Sequence, residues 1–193
     1  SGGPADAVAA VSAAVSAVPA RGVAAGSPPP RDIVIGGLGL GYTAEAVLQD
    51  NDVTSLLVVD ALQPIIDWHE QSMLPLGAAL VGDSRCQFVC ADFFAAAAGD
   101  AGFDPAIVGR RFDAILVDID HTPDFHLAPG NEGFYTAAGL TKLQQHLTTI
   151  CFYYFSFSDF FPVMTGIANS SSTVFLYNPK ISVTSFCASS LFV

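Results

Sequence analysis

Positive charge is scarce. The 193 residues hold 7 Lys and Arg against 18 Asp and Glu, a formal net charge of -11. A surface this acidic has no general attraction for nucleic acid, and cationic ligands suit it better. Cysteine is sparse too. Cys86, Cys90, Cys151 and Cys187 include no C-x-x-C pair, which argues against a disulfide framework or a thiolate metal site. They read as plain buried thiols, with Cys86 and Cys90 at inward positions around a strand, and suit a reducing cytoplasm. No apolar run approaches the roughly 18–20 residues of a membrane span, since the densest stretch is only Ile150 to Phe157. The Ala-rich opening has no Lys or Arg before Arg21 and so lacks the basic start of a secretory leader. Charged residues make up only 13% and hydrophobic residues 51%, which excludes wholesale disorder. The length suits one α/β domain.

Seventeen of the 18 acids lie at or before Glu132. The same region shows the clearest alternation of elements. Val8, Val11, Val15 and Val18 mark a helix over Ala5–Val18, and Gly26-Ser27-Pro28-Pro29-Pro30 ends it as a stiff linker. Residues 1–30 therefore read as an N-terminal helix and linker, and 31–193 as a single domain. Strands are expected at Asp32–Ile35, Val53–Val59, Cys86–Cys90, Phe112–Val117 and Ile150–Phe157. Helices are expected from about Thr43 to Gln49, with Pro64 in the first turn of the next, after Asp92, over Thr136–His146 and over Asp159–Asn169. Residues Asp120 to Gly133 read as a long loop. Val174–Tyr177 and Ser182–Val193 read as a closing antiparallel hairpin around Asn178-Pro179-Lys180. This alternation predicts a mostly parallel sheet of about seven strands with helices on both faces.

In such sheets ligands bind beyond the carboxyl ends of the strands. Gly36, Gly37, Gly39 and Gly41 follow strand one, Asp60 ends strand two, Asp92 follows strand three, and Asp118 and Asp120 follow strand four. One acid at a strand end is usually a turn or cap residue; four successive ends carrying glycine or carboxylate point to a site. The glycines allow a sharp turn and close approach to a ligand. Asp60 lies 19 residues past Gly41, where an acid can accept from ribose hydroxyls. Gly39 to Ala44 fits G-x-G-x-x-A, a pattern that does not separate a nicotinamide cofactor from an adenosyl sulfonium one. Asp92 can accept from an adenine amino group while a ring of Phe93-Phe94 packs on the base, and it can also cap the helix that follows. The Tyr-x-x-x-Lys pair of short-chain dehydrogenases is absent, since Tyr177 and Lys180 are three apart.

The blocks IVIGGLGLGYT (33–43), LLVVDALQPIIDW (56–68), FVCADFF (88–94), FDAILVDID (112–120) and NEGFYTAAGL (131–140) together resemble the spermidine synthase family, which has the class I S-adenosylmethionine-dependent methyltransferase fold. The resemblance covers a little over half of the chain. It implies a Rossmann-like domain holding S-adenosylmethionine or its decarboxylated form. By that likeness Asp60 meets the ribose, Asp92 the adenine, and Asp118 the reacting amine. Asp120 stands nearest to a second acid that the family usually carries one position later, where this chain has His121. Glu132 and Tyr135 fall in the stretch whose aromatic ring packs near the acceptor. Three features depart from the family. The glycine loop reads Leu38-Gly39-Leu40 where the family has an Asp for the aminopropyl amine. The N-terminal hairpin domain has no counterpart in Ser1–Pro30. Leu147-Thr148-Thr149 replaces Pro-Gly-Gly.

The chemistry implied is attack by an amine on a carbon beside a sulfonium. A free alkylamine has a pKa of about 10, so a base must take a proton as the nitrogen is aimed. Asp118 is the candidate base. Asp120, His121 and Glu132 are candidates to hold a small cationic amine, with Tyr135 orienting it. Methyl transfer needs the same cradle and another acceptor pocket, and a third reading is an adenosyl-binding domain without turnover. His121 and His126 sit near Asp118 and Asp120, but no Cys or third His accompanies them, so polar loop roles are favoured over a metal. His69 and His146 are expected on helix surfaces and Trp68 in the core. The aromatic run Phe152 to Phe161 reads as a buried strand and helix, or as a homodimer face.

Overall fold

A computed structural model of the protein describes residues 31–119, 131–148, 151–155 and 173–177, the last two segments as backbone. The expected N-terminal helix and linker, the acidic loop 120–130, the helix over Asp159–Asn169 and the strand over Ser182–Val193 lie outside the described residues.

The chain runs β1 (Arg31–Gly36), α1 (Tyr42–Leu48), β2 (Val53–Asp60), α2 (Gln63–Glu70), α3 (Gly77–Gly82), β3 (Cys86–Cys90), α4 (Phe93–Ala98) and β4 (Ala114–Val117). A 3-10 turn over Asn131–Tyr135 leads to α5 (Ala137–Gln144), β5 (Cys151–Phe155) and β6 (Thr173–Tyr177). The six strands form one sheet in the order β3-β2-β1-β4-β5-β6, and every pair is parallel. The chain builds outward from β1 to β3 and then returns to place β4 on the other side of β1. That reversal is the switch point of a doubly wound, Rossmann-like sheet.

Strand alternation builds two cores. Ile33, Ile35, Leu56, Val58 and Leu116 face one way, onto Ala44 and Val47 of α1, Ile66 of α2 and Leu80 of α3. Val34, Leu57, Val59, Ile115 and Val117 face the other way, onto Phe93 and Ala97 of α4, Phe112, Phe134 and Leu143. Because both faces are covered, the central strands read as continuous Val/Ile/Leu runs rather than alternating ones. Each such side chain contributes about 1.5–3 kcal/mol by burial.

Cations gather at the amino ends of the strands. Arg31 pairs with Asp50 at 2.7 Å, Arg85 with Asp83 at 2.7 Å and Arg110 with Asp104 at 2.8 Å. Arg85 also donates to the carbonyls of Leu48, Asp50 and Val53, which holds the turn from α1 to β2. Arg111 directly precedes Phe112. Lys142 stands in the last turn of α5, which leads back to Leu147 beside Phe112. Among the described residues no cation is left at the carboxyl edge of β1–β4.

Several expectations need correction. α3 is an additional helix, without caps or strong periodicity in its sequence. Trp68 is 44% exposed, whereas His69 is fully buried and His146 nearly so. α2 buries the i, i+3 pair Ile66 and His69, which turns Trp68 outward. His146 packs on Phe103 with ring centroids 5.2 Å apart, and its Nε2 lies 3.3 Å from the Ala97 carbonyl. Cys86 is half-buried, but Cys90 is exposed, because it ends an edge strand. β6 pairs in parallel with β5, and the hairpin partner expected after it is not among the described residues. Side chains of the aromatic run after Cys151 are likewise not described. Among the described residues no helix is long and apolar enough to cross a membrane.

Candidate functional site

Register brings the strand ends together. Gly36 pairs with Val59 on one side and Val117 on the other, and Asp60 lies opposite Cys90. The residues that follow these ends therefore share one edge.

Gly36 and Gly37 are glycine for different reasons. A Cβ at Gly36 would stand 2.6 Å from the Phe93 ring. Gly37 has φ +96°, and a Cβ there would stand 2.3 Å from the Asp118 carbonyl oxygen. The loop is thus seated directly on the end of β4. Its amide donates to the Val59 carbonyl at 2.8 Å, and the Asp118 amide donates to the Gly36 carbonyl at 2.8 Å. Past Leu38 the chain turns, with the Gly41 amide donating to the Leu38 carbonyl at 2.8 Å. Gly39 and Gly41 also have positive φ, and Gly41 precedes α1.

Asp60 ties this loop to the next. Its Oδ2 accepts from the Leu38 amide at 2.8 Å and its Oδ1 from the Leu62 amide at 2.8 Å. Each oxygen keeps a second lone pair for a ligand hydroxyl. Asp92 is exposed and caps α4, its Oδ1 accepting from the amides of Phe94 at 2.9 Å and Ala95 at 3.1 Å. The cap leaves Oδ2 without a partner among the described residues.

Asp118 is partly buried just past the end of β4. Burial pushes its carboxyl above the usual carboxylate range, and the Thr43 hydroxyl, donating to Oδ2, partly offsets this. That hydrogen bond is 2.7 Å long and comes from a nearly buried Thr43 in the first turn of α1. Oδ1 accepts nothing from the described residues. A carboxylate shifted upward in this way is better matched to proton transfer near neutral pH.

Phe93 does not line the site. It is 2% exposed, stacks on Phe103 at 4.9 Å, and backs the glycine loop from within the core. The ring beside Asp92 that stays half-buried is Phe94, which forms an aromatic wall with Phe134 at 5.1 Å and Tyr135 at 6.4 Å. The first residue of a helix whose inner face is apolar turns inward here, and the FF pair gives no hint which ring it will be. Glu132 is exposed on the 3-10 turn and Tyr135 is half-buried. That turn is held against α5 by Thr136, whose hydroxyl donates to the Gly133 carbonyl at 2.7 Å and accepts from the Gly139 amide at 3.2 Å.

The structure therefore brings together Gly36, Gly37, Gly39, Gly41, Asp60 and Asp118, with Asp92 and Tyr135 on neighbouring elements. Asp120, His121 and His126 lie outside the described residues. Two residues not singled out from the sequence join the site. Thr43 bonds Asp118, and His69 lies with Nε2 3.0 Å from the Gly39 carbonyl oxygen. Thr43 had a local signal, as a hydroxyl in the first turn after the glycine loop; His69 had none. Among the described residues no group of three or more His, Cys, Asp and Glu is placed to hold a metal ion.

No protein-family model matches the sequence, and no curated protein matches it. Solved structures with similar backbones include human methyltransferase-like protein 13 in complex with SAH, at 18% identity and TM-score 0.49 over 77% of this chain and 62% of that one. A spermidine synthase in complex with the transition state analogue AdoDATO is similar at 19% identity and TM-score 0.45, over 62% of this chain and 36% of that one. The plantazolicin methyltransferase BpumL in complex with SAH is similar at 14% identity and TM-score 0.41, over 90% of this chain and 46% of that one. The chain spans less than two thirds of the length of each of these proteins.

Proposed function

We propose that this chain is a transferase that binds an adenosyl sulfonium cofactor, S-adenosylmethionine or its decarboxylated form, and delivers an aminopropyl group to a small cationic amine. The observation that carries the reading is the desolvated Asp118 carboxyl seated against the glycine loop, on an edge that holds no cation among the described residues. At Gly39 a Cβ would meet nothing within 4 Å, which leaves room for a ligand at backbone distance there. Asp60 offers lone pairs to ribose hydroxyls, and Oδ2 of Asp92 with the ring of Phe94 suits an adenine. When bound, the cofactor supplies an electrophilic carbon beside a positively charged sulfur.

The chain's own residues then hold and deprotonate the acceptor. An incoming ammonium is attracted to an edge carrying Asp60, Asp92, Asp118 and Glu132. Asp118, oriented by Thr43, takes the proton and leaves a neutral nitrogen to attack. Glu132 and Tyr135 hold the rest of the amine from the 3-10 turn, together with Asp120 and His121, which follow soon after Asp118 in sequence. Positioning of the two reactants supplies much of the rate.

Methyl transfer is the second reading, and Leu38 and Leu40 favour it. The loop carries no carboxylate to receive the ammonium of an aminopropyl group. Calorimetric titration with S-adenosylmethionine and decarboxylated S-adenosylmethionine, with NAD as control, tests both. Tighter binding of the decarboxylated form supports aminopropyl transfer. Tighter binding of the parent form moves the assignment to methyl transfer. Binding of NAD alone, or of none of the three, overturns the adenosyl reading.

A further inference from the structure

The glycine loop is anchored from behind by a residue that the proposed chemistry does not use. His69, near the end of α2, is fully buried. Its Nε2 lies 3.0 Å from the Gly39 carbonyl oxygen. A carbonyl oxygen only accepts, so Nε2 carries the proton and donates. Among the described residues Nδ1 finds no partner, which leaves the Gly39 contact as the hydrogen bond that this buried ring makes with them. Gly41 lets the ring come this close, because a Cβ there would stand 2.9 Å from Cε1 of His69.

The anchor has a consequence for the next amide. Among the described residues no peptide bond is cis, and in a planar trans peptide the C=O and the following N–H point to opposite sides. Holding the Gly39 carbonyl on a buried histidine turns the Leu40 N–H away from the interior. Leu40 is 54% exposed, and its amide makes no hydrogen bond among the described residues. A free donor is thereby fixed on the loop that the adenosyl ligand would approach.

We infer that His69 is a positioning residue of the ligand-binding loop: its bond to the Gly39 carbonyl presents the Leu40 N–H to an acceptor oxygen of the bound adenosyl ligand. The inference rests on the adenosyl reading above and deepens it. His69→Phe keeps an aromatic ring and removes the donor. His69→Gln keeps an N–H donor at similar reach. Titrated with whichever of S-adenosylmethionine and its decarboxylated form the parent chain binds more tightly, the Phe variant is expected to bind about tenfold more weakly than the parent chain, and the Gln variant within about threefold of it. In the parent chain the Leu40 amide resonance is expected to move on saturation with the ligand.

Wild-type affinity in the Phe variant overturns the inference. So does equal weakening in both variants at unchanged melting temperature, since the donor would then not matter. If the Phe variant does not fold, the Leu40 resonance decides: an amide unmoved by saturating ligand overturns the inference. A parent chain that binds no adenosyl ligand overturns the transferase reading itself, a result distinct from binding that ignores His69.

Discussion

Gly37→Ala is the perturbation that most directly tests how the loop is seated on β4. Two costs add. A residue with a side chain at φ +96° is strained by about 1–3 kcal/mol. The new Cβ would also stand 2.3 Å from the Asp118 carbonyl oxygen, which has little freedom to retreat. It directly follows a fully buried strand held between β1 and β5. Relief requires loosening the Gly37–Val59 and Asp118–Gly36 hydrogen bonds, both 2.8 Å and each worth about 0.5–1.5 kcal/mol. The sum is about 2–6 kcal/mol, a large share of a typical stability of about 5–15 kcal/mol. At a urea m value of about 2 kcal/mol/M the unfolding midpoint falls by roughly 2 M. Gly109→Ala is the control. Gly109 has φ +72° with nothing within 4 Å of its Cβ position, so it pays the backbone cost alone, about 1 kcal/mol. If Gly37→Ala shifts the midpoint no more than Gly109→Ala does, the loop is not seated on Asp118 and the site geometry is wrong.

Two further outcomes are expected. The Asp118 carboxyl lies above its unfolded value of about 3.9, so between that value and the folded one the native state holds more protons than the unfolded state and stability falls as pH rises. Asp118→Asn should flatten that slope, raise the melting temperature at pH 7 and leave it unchanged below the unfolded value, while abolishing turnover and sparing cofactor binding; parallel melting curves for the two proteins across pH would contradict the burial argument. Burial pushes the Cys86 thiol to about 12, leaving about one thiolate in ten thousand at pH 8, whereas Cys90 is exposed. Iodoacetamide on the folded protein should label Cys90 and spare Cys86 by peptide mass mapping, and equal labelling would refute the packing of β3.

Much of the fold was legible in the sequence because parallel strands covered on both faces must be apolar along their length. IVIG, LLVV and AILV are such runs, and helix-forming stretches separate them. The candidate site was legible for a related reason: a ligand edge lies where strands end, so Gly36, Gly37, Asp60, Asp92 and Asp118 could be placed by counting from apolar runs. α3 was not legible because GAALVG carries too little periodicity in six residues.

What the sequence could not decide is which way a side chain turns once an element is packed. Trp68 and His69 are neighbours on one helix, and hydropathy puts the Trp inside. The structure does the reverse: Trp68 is 44% exposed and His69 is buried, with its Nε2 3.0 Å from the Gly39 carbonyl oxygen. Phe93 and Phe94 are identical residues, and only the space left by Gly36 assigns the first to the core and the second to the wall beside Asp92. The sequence by itself determined the strand runs, the glycine loop and the acids at successive strand ends, since these depend on local order and spacing. The tertiary structure alone decided that Asp118 is desolvated and bonded by Thr43, that Asp60 holds Leu38, and that cations collect at the opposite end of the sheet. Each of these depends on residues brought together from distant parts of the chain, where burial and hydrogen-bond partners are set by packing.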